Sequence, residues 1–136
     1  MIKPINHDVI SLQQVSQPAQ QPDVSIARDL LDTLAAHRQE CVGMAANMIG
    51  IAKRIIVVNI GPTNIAMLNP KIIAKQQPYK TSEGCLSLEG TRPTNRFQKI
   101  TVKFFDLQWQ KQTLRLEGFP AQIVQHEIDH CDGILI

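Results

Sequence analysis

Residues 54–60, which read RIIVVNI, constrain the fold of this chain more than any other segment. Isoleucine and valine favour extended backbone because their branched side chains pack well on a pleated surface. The run is followed by GPTN, whose glycine and proline favour a turn. It therefore predicts a buried β-strand that ends at a tight turn.

Three later segments predict further strands. They read AMLNPKII at residues 66–73, KITVKFFDL at 99–107 and QTLRLEGF at 112–119, and the last shows partial alternation of apolar and polar residues. Between the first two lies EGCLSLEG, residues 83–90, which has glycines near both ends and reads as a loop. We expect the strands to be antiparallel.

Two helices are expected to flank the strands. After a loop that runs to Pro22, Asp23 can cap a helix whose apolar residues recur at helical spacing. Gly118 and Pro120 introduce a second helix near the end of the chain, with proline in its first turn. A helix, several antiparallel strands and a final helix predict an α+β fold.

The chain has the size and composition of one globular domain. Its 136 residues are 43% hydrophobic and 19% charged. A chain of this length buries roughly two thirds of the surface that its unfolded form exposes. We therefore expect a single domain over residues 1–136, without a linker.

The charge pattern argues against several classes of partner. The net charge is only +2, and the 14 lysines and arginines are scattered without a dense basic run, so no direct nucleic-acid binding is expected. The N-terminus lacks the apolar core of a signal peptide, and no stretch approaches the length of a membrane span. The sequence predicts a cytoplasmic protein without a membrane partner.

The final predicted helix carries a possible metal site. His126 and His130 lie four residues apart, so a helix places both on one face, and Glu127 follows the first histidine. This H-E-x-x-H arrangement offers two imidazole ligands and a carboxylate that can move a proton. Partly exposed polar residues on an ordinary helix are the alternative interpretation.

A catalytic metal centre needs a third protein ligand. Cys85 is the best candidate, because Gly84 permits a tight backbone path and a thiolate binds soft or borderline divalent ions strongly. A lone cysteine is otherwise more often a small buried apolar residue. Cys131 is expected to pack in the core, whereas the position of Cys41 decides nothing.

Two motifs give the chain a recognisable resemblance. EGCLS at residues 83–87 and QHEIDH at 125–130 resemble, in this order, the second and third motifs of the peptide deformylases. The resemblance implies small antiparallel sheets packed around a metal-binding helix. It also implies a metal-dependent hydrolase that removes the formyl group from the N-terminal methionine of newly made polypeptides, with an N-formylmethionyl peptide or nascent chain as substrate.

The resemblance also implies roles for individual residues. Cys85, His126 and His130 would bind one divalent metal ion, Fe(II) in the cell, with Zn(II), Ni(II) or Co(II) as alternatives. Glu127 would act as general base and then as general acid, since the ion lowers the pKa of its water. The backbone N–H of Leu86 would hold the developing oxyanion. Val42, Gly43 and Arg92 are predicted substrate contacts, with Arg96 as an alternative arginine.

The first motif departs from the family pattern G-x-G-x-A-A-x-Q. Here the run is CVGMAANM, so Cys41 replaces the first glycine and Met48 replaces the glutamine. A thioether cannot donate the hydrogen bond that the glutamine amide gives to the oxyanion. Met48 therefore predicts a reduced or altered activity at the substrate site.

Three functions follow from these patterns. The leading prediction is a peptide deformylase or deformylase-like hydrolase. The alternative, which Met48 motivates, is a metal-binding homologue with weak or lost activity that binds N-terminal peptides. An H-E-x-x-H endopeptidase is a weaker third candidate, because Cys85 and the short chain fit deformylases better.

Overall fold

The computed structural model describes residues 1–85 and 87–135, and only the backbone of residue 88. The described helices and strands follow one another in a simple order. They are α1 (Val9–Leu12), a 3-10 turn (Gln21–Asp23), α2 (Val24–Ala36), β1 (Gly43–Ala45), a second 3-10 turn (Ala46–Ile49), β2 (Ile55–Ile60), β3 (Thr63–Cys85), β4 (Leu88–Phe105), β5 (Lys111–Glu117) and α3 (Phe119–Cys131).

The strands form one antiparallel five-stranded sheet in the order β1-β2-β3-β4-β5. The buried strand predicted from RIIVVNI is β2, and its turn into β3 follows at Gly61. The α+β prediction is confirmed. The sheets expected around the final helix are one continuous sheet in this chain.

The loop predicted at residues 83–90 is wrong. Glu83, Gly84 and Cys85 end β3, and β4 begins at Leu88, so the segment is the tip of a long β3–β4 hairpin. The sequence does not reveal this because polar residues and glycines dominate the hairpin near its tip, and strand signals depend on apolar alternation. The hairpin brings Cys85 to the end of a strand.

The sheet carries a separate apolar core on each face. One core lies between the sheet and α3, where Ile123, Val124 and Cys131 pack against strands β2, β3 and β4. The other includes Leu30 and Leu34 of α2. Cys131 is therefore a packing residue. Among the described residues, no helix is both long and apolar enough to cross a bilayer.

The segment before α2 is less irregular than the sequence predicts. Residues Val9–Leu12 form one helical turn, which the Asp8 side chain caps by accepting a hydrogen bond from the Ile10 N–H. A four-residue helix is too short to show helical periodicity, so the loop prediction is wrong here. The predicted start of α2 is confirmed, with Asp23 at its N-cap position. The Asp23 side chain does not cap the helix, however, because it accepts a hydrogen bond from the Gln20 N–H instead.

Candidate metal centre

Helix α3 carries His126 and His130 on one face, so that their side chains lie close together. It begins after Gly118, which has a φ of 66°, and Pro120 occupies its first turn. The Nε2 atoms of His126 and His130 lie 3.0 Å apart. The two imidazoles and the Cys85 thiol, at the end of β3, offer ligand atoms that all lie within 4.8 Å of one another.

The donor set fits a divalent metal ion. Two imidazole nitrogens bound at 2.0–2.1 Å to one tetrahedral ion would lie about 3.4 Å apart, close to the observed separation. Thiolate and imidazole are ligands that borderline transition-metal ions prefer. His130 is fully buried, and burial together with the neighbouring His126 lowers the pKa of His130 to about 3. Its imidazole is therefore neutral, as a ligand must be.

Glu83 orients the first histidine. The Nδ1 of His126 lies 2.8 Å from Oε1 of Glu83. Burial alone would raise the pKa of Glu83, but hydrogen bonds from His126, Arg96 and Gln122 lower it to about 2. Because this carboxylate is ionised, His126 Nδ1 must donate, which leaves Nε2 free for the ion.

Arg96 holds Glu83 in place. Its guanidinium makes bonds of 2.7 to 3.2 Å to both carboxylate oxygens of Glu83 and a 2.6 Å bond to Asp129 of α3. Arg96 is only 4% exposed and bonds Glu83 and Asp129, so no contact with the substrate is seen for it and that alternative stays a prediction. Sequence reasoning missed Glu83 and Asp129. A general rule could have pointed to a residue such as Glu83: a metal-bound histidine usually donates its other ring N–H to a carboxylate or carbonyl group.

Glu127 lies in the same cavity as the ligands. It is 4% exposed, and its Oε1 has no hydrogen-bond partner among the described residues. Burial raises the pKa of Glu127 to about 7. A carboxyl group with this pKa exchanges protons readily near neutral pH.

Gly43 allows β1 to approach Glu127 closely. A Cβ at this position would lie 2.8 Å from Cγ2 of Ile123 and 3.0 Å from Oε2 of Glu127. Neither contact leaves room for a side chain. Gly43, the one glycine of the CVGMAANM run, is therefore required by the packing of β1 on α3.

The cavity has a volume of about 570 Å³ and brings most of the predicted site residues together. Its lining includes the predicted ligands Cys85 and His126 and the carboxylate of Glu127. Val42, Gly43, Met48 and Cys41 of the first motif also line it. The residues that the sequence did not single out are Glu40, Ser82, Glu83, Gly90, Phe119, Gln122 and Ile123.

Three predicted site residues are not placed in this lining. One is the ligand His130, whose side chain is fully buried. Arg92 is half-buried and lies opposite Glu83 in the register of β3 and β4. It is absent from the cavity wall as far as the described residues define it, and its substrate contact stays a prediction. Leu86, the predicted oxyanion donor, lies outside the described residues.

Met48 turns its thioether toward the backbone. The side chain is 1% exposed, and its Sδ accepts a hydrogen bond of 3.4 Å from the Ala45 N–H. The preceding residue, Asn47, donates from Nδ2 to the carbonyl oxygen of His130 at 2.8 Å. The first motif is thus bonded directly to the metal helix, but Met48 adds no donor to the cavity.

Comparisons with known proteins agree with this site. The family model described as polypeptide deformylase matches residues 2–136. A peptide deformylase of Clostridium beijerinckii is 48% identical over 136 residues, which is 100% of both chains. Its similarity to this chain therefore covers both motifs and the connecting hairpin.

Solved structures share the fold. A peptide deformylase from Legionella pneumophila superposes with a TM-score of 0.89 at 32% identity, covering 99% of this chain and 83% of that one. The Met-Ala-Ser-bound class I type b peptide deformylase from Acinetobacter baumannii gives a TM-score of 0.88 at 28% identity, covering 99% and 97%. The match of the family model over nearly all residues, with the full-length relative, shows that this chain belongs to the polypeptide deformylase family.

Proposed function

We propose how this deformylase, which removes the N-formyl group from the N-terminal methionine of newly made polypeptides, performs that reaction. In this proposal Cys85, His126 and His130 hold the divalent ion, and Glu127 transfers the proton. The observation that supports it is the convergence of three ligand atoms within 4.8 Å beside a buried carboxylate.

The bound ion supplies Lewis acidity, which makes water nucleophilic near neutral pH. Glu83 keeps His126 in the tautomer whose Nε2 faces the ion. Arg96 and Gln122 fix Glu83 in turn. These contacts hold the ligands in position before substrate arrives, so little reorganisation is needed during the reaction.

Glu127 moves one proton in two steps. It takes a proton from the attacking water as the new C–O bond forms at the formyl carbon. It then gives that proton to the amine nitrogen as the C–N bond breaks, which releases formate and a free N-terminus. Its position in the cavity wall and its unpartnered Oε1 support this role.

The substrate peptide is proposed to lie along β1. This strand is the edge of the sheet and pairs only with β2 among the described strands, so its outer backbone groups can pair with an extended peptide. Val42 and Gly43 lie where that peptide would enter the cavity. The Met-Ala-Ser-bound structure of the Acinetobacter baumannii relative supports a peptide ligand.

We also infer the identity of the metal ion, the domain organisation of the chain and its location in the cell. Fe(II) is the proposed cellular metal, because thiolate and imidazole suit it and availability decides among similar ions. Residues 1–136 are proposed to act as one domain. The proposed location is the cytoplasm, because the proposed substrate is a newly made chain.

Formate release tests the function and the ion together. Protein loaded anaerobically with Fe(II), Zn(II), Ni(II) or Co(II) is assayed with a formyl-Met peptide and with the same peptide unformylated. We expect the wild-type protein to release formate from the formylated peptide only, and to do so fastest with Fe(II). The Glu127→Gln variant should release no formate from either peptide. A fully metallated protein that releases no formate would contradict the proposal and support the peptide-binding homologue. Cleavage of the unformylated peptide would support an endopeptidase.

A further inference from the structure

A group of exposed cations lies on one face of the sheet, far apart in sequence but close in space. We call the basic face the surface formed by Lys71, Lys99, Lys103, Lys111 and Arg115, all of which are exposed. Lys71 lies directly opposite Lys103 on the neighbouring strand. Arg115 lies opposite Thr101, and Lys111 opposite Phe105, on β5.

The opposite face of the same strands is apolar. Ile100 and Val102 of β4 alternate with these cations and pack in the core beneath α3, where Leu114 and Leu116 of β5 join them. The cations therefore point away from α3 because successive residues of a strand face opposite sides of the sheet.

The cations of the basic face form no ion pair with a carboxylate among the described residues. Over residues 1–85 and 87–135, none of the five cations has a carboxylate within 4.0 Å. Glu117 shares this face, opposite Lys99, but forms no ion pair with it. Like charges directly opposite each other, such as Lys71 and Lys103, destabilise a sheet unless an anion lies between them.

Three of the lysines surround a second cavity of about 340 Å³. Lys71, Lys103 and Lys111 line it, together with Asn69, Gln112, Thr113 and two phenylalanines. The Asn69 amide is already bonded to Ala19, and the Gln112 amide to Asp106. The donors left for a ligand are chiefly ammonium groups, which suit a phosphate with several acceptor oxygens.

Aromatic rings lie beside these ammonium groups. Phe105 lines the cavity and stacks on Trp109, with ring centroids 4.5 Å apart and an interplanar angle of 14°. Both rings are half-buried, because they also pack against the apolar core that contains Leu30 and Leu34 of α2. A cationic surface that carries aromatic rings is the combination that binds single-stranded nucleic acid, where phosphates meet cations and bases meet rings.

We propose that the basic face binds single-stranded nucleic acid, with backbone phosphates at Lys71, Lys103 and Lys111 and bases near Phe105. This revises the expectation from sequence that the protein binds no nucleic acid. That expectation rested on the absence of a basic run. The sheet register gathers the cations from three strands, which a scan of the linear sequence does not reveal.

Binding is measured by the fluorescence anisotropy of a labelled oligouridine of about 12 nucleotides, between about 50 and 200 mM salt. The metal-loaded full chain is used, with oligothymidine, inorganic phosphate and polyglutamate as competitors. If all five cations contact phosphates, a plot of the logarithm of the binding constant against the logarithm of the salt concentration should have a slope of about −3.5. The single tryptophan, Trp109, provides a second signal, since bases bound near Phe105 should change its fluorescence.

A triple variant tests the three cavity lysines. Lys71→Gln, Lys103→Gln and Lys111→Gln together should weaken binding at least tenfold and reduce the salt slope by about 2. The matched control carries Arg28→Gln, Arg38→Gln and Lys80→Gln, which remove three exposed positive charges outside the basic face. The control should bind oligouridine as the wild type does. Both variants should retain deformylation, which separates this proposal from the proposed function.

Several results would overturn the proposal. One is an equal loss of binding in both triple variants, which would mean that net charge alone governs binding. Another is competition by polyglutamate, or by inorganic phosphate, as strong as that by oligothymidine, with no change in Trp109 fluorescence when oligouridine binds. This would show that the face binds anions without regard to bases. Aggregation of the cavity variant with unchanged affinity would show that the lysines only protect the edge strand β5.

Discussion

At the residue scale, Met48 separates this site from the pattern of its family. Its thioether accepts the Ala45 N–H and stays buried, whereas the family pattern has glutamine at this position. A glutamine side chain has both an acceptor and a donor. It can therefore replace the internal bond of Met48 and also donate a hydrogen bond to the developing oxyanion.

We expect Met48→Gln to raise kcat by about a hundredfold, because one oxyanion donor contributes about that much. The control is Met48→Leu, which keeps an apolar side chain of similar size and supplies neither acceptor nor donor, and which should show no gain. Formate release by equally metallated samples is the measurement. A folded Met48→Gln protein with unchanged kcat would show that this chain stabilises the oxyanion in another way.

Gly43 offers a second test at the same scale. The added Cβ of Gly43→Ala would clash with Ile123 and Glu127, so the variant should lose about 1 to 3 kcal/mol of unfolding free energy and much of its kcat/KM. Urea unfolding and formate release measure the two effects. At Gly84 the nearest atom to an added Cβ is 3.4 Å away, so Gly84→Ala should change stability much less.

At the element scale, the turn between β4 and β5 depends on Asp106. Its carboxylate accepts hydrogen bonds from the N–H groups of Gln108 and Gln110 and from the Gln112 amide. The bond from Gln110, followed by that from Gln112, lowers the pKa of Asp106 below its usual 3.8. The ionised form is therefore favoured in the folded state, and it stabilises this turn.

The stabilisation by Asp106 should depend on pH. It is fully present above pH 3.8 and is lost as the pH falls through the lower pKa of the folded state. Asp106→Ala should therefore lower Tm at pH 7, and the difference from wild type should shrink at pH values well below 3.8. Thermal unfolding followed by circular dichroism measures this. A Tm difference that persists unchanged in acid would contradict the assigned role of the charge.

The elements show what the sequence could and could not predict. Strand β2 was predictable from its continuous run of β-branched residues, and helix α3 from its proline in the first turn and its apolar face. The tip of the β3–β4 hairpin was not, since polar side chains there carry no periodic signal. The ligands could be predicted because two histidines share one helix face and one cysteine stands out in the sequence. The bond from Arg96 to Glu83 could not, because it depends on the pairing of two strands, which a short sequence motif does not contain.

At the scale of the whole molecule, Arg96 joins the β3–β4 hairpin to α3. It lies on β4, bonds Glu83 of β3 and Asp129 of α3, and is almost completely buried. Removing one partner of a buried ion pair leaves the other charge uncompensated, which costs more than the pair itself contributes.

Arg96→Ala should therefore lower the free energy of unfolding by about 3 kcal/mol and weaken metal binding, because Glu83 would no longer be held against His126. Urea unfolding and competition with a chelator are the measurements. The control is Arg92→Ala on the same strand, which removes an arginine without breaking an ion pair among the described residues and should change both quantities much less. Equal effects of the two substitutions would contradict the role of Arg96.

The hydrogen bond from Asn47 to the His130 carbonyl joins residues that are 83 positions apart in the chain. Asn47 lies two residues after the end of β1, the strand proposed to hold the peptide, and His130 is a proposed metal ligand. An event that opens either element must break this bond, so the two elements share one local unfolding equilibrium. Peptide and ion are then thermodynamically linked: each, by binding the closed form, increases the affinity for the other by the same factor.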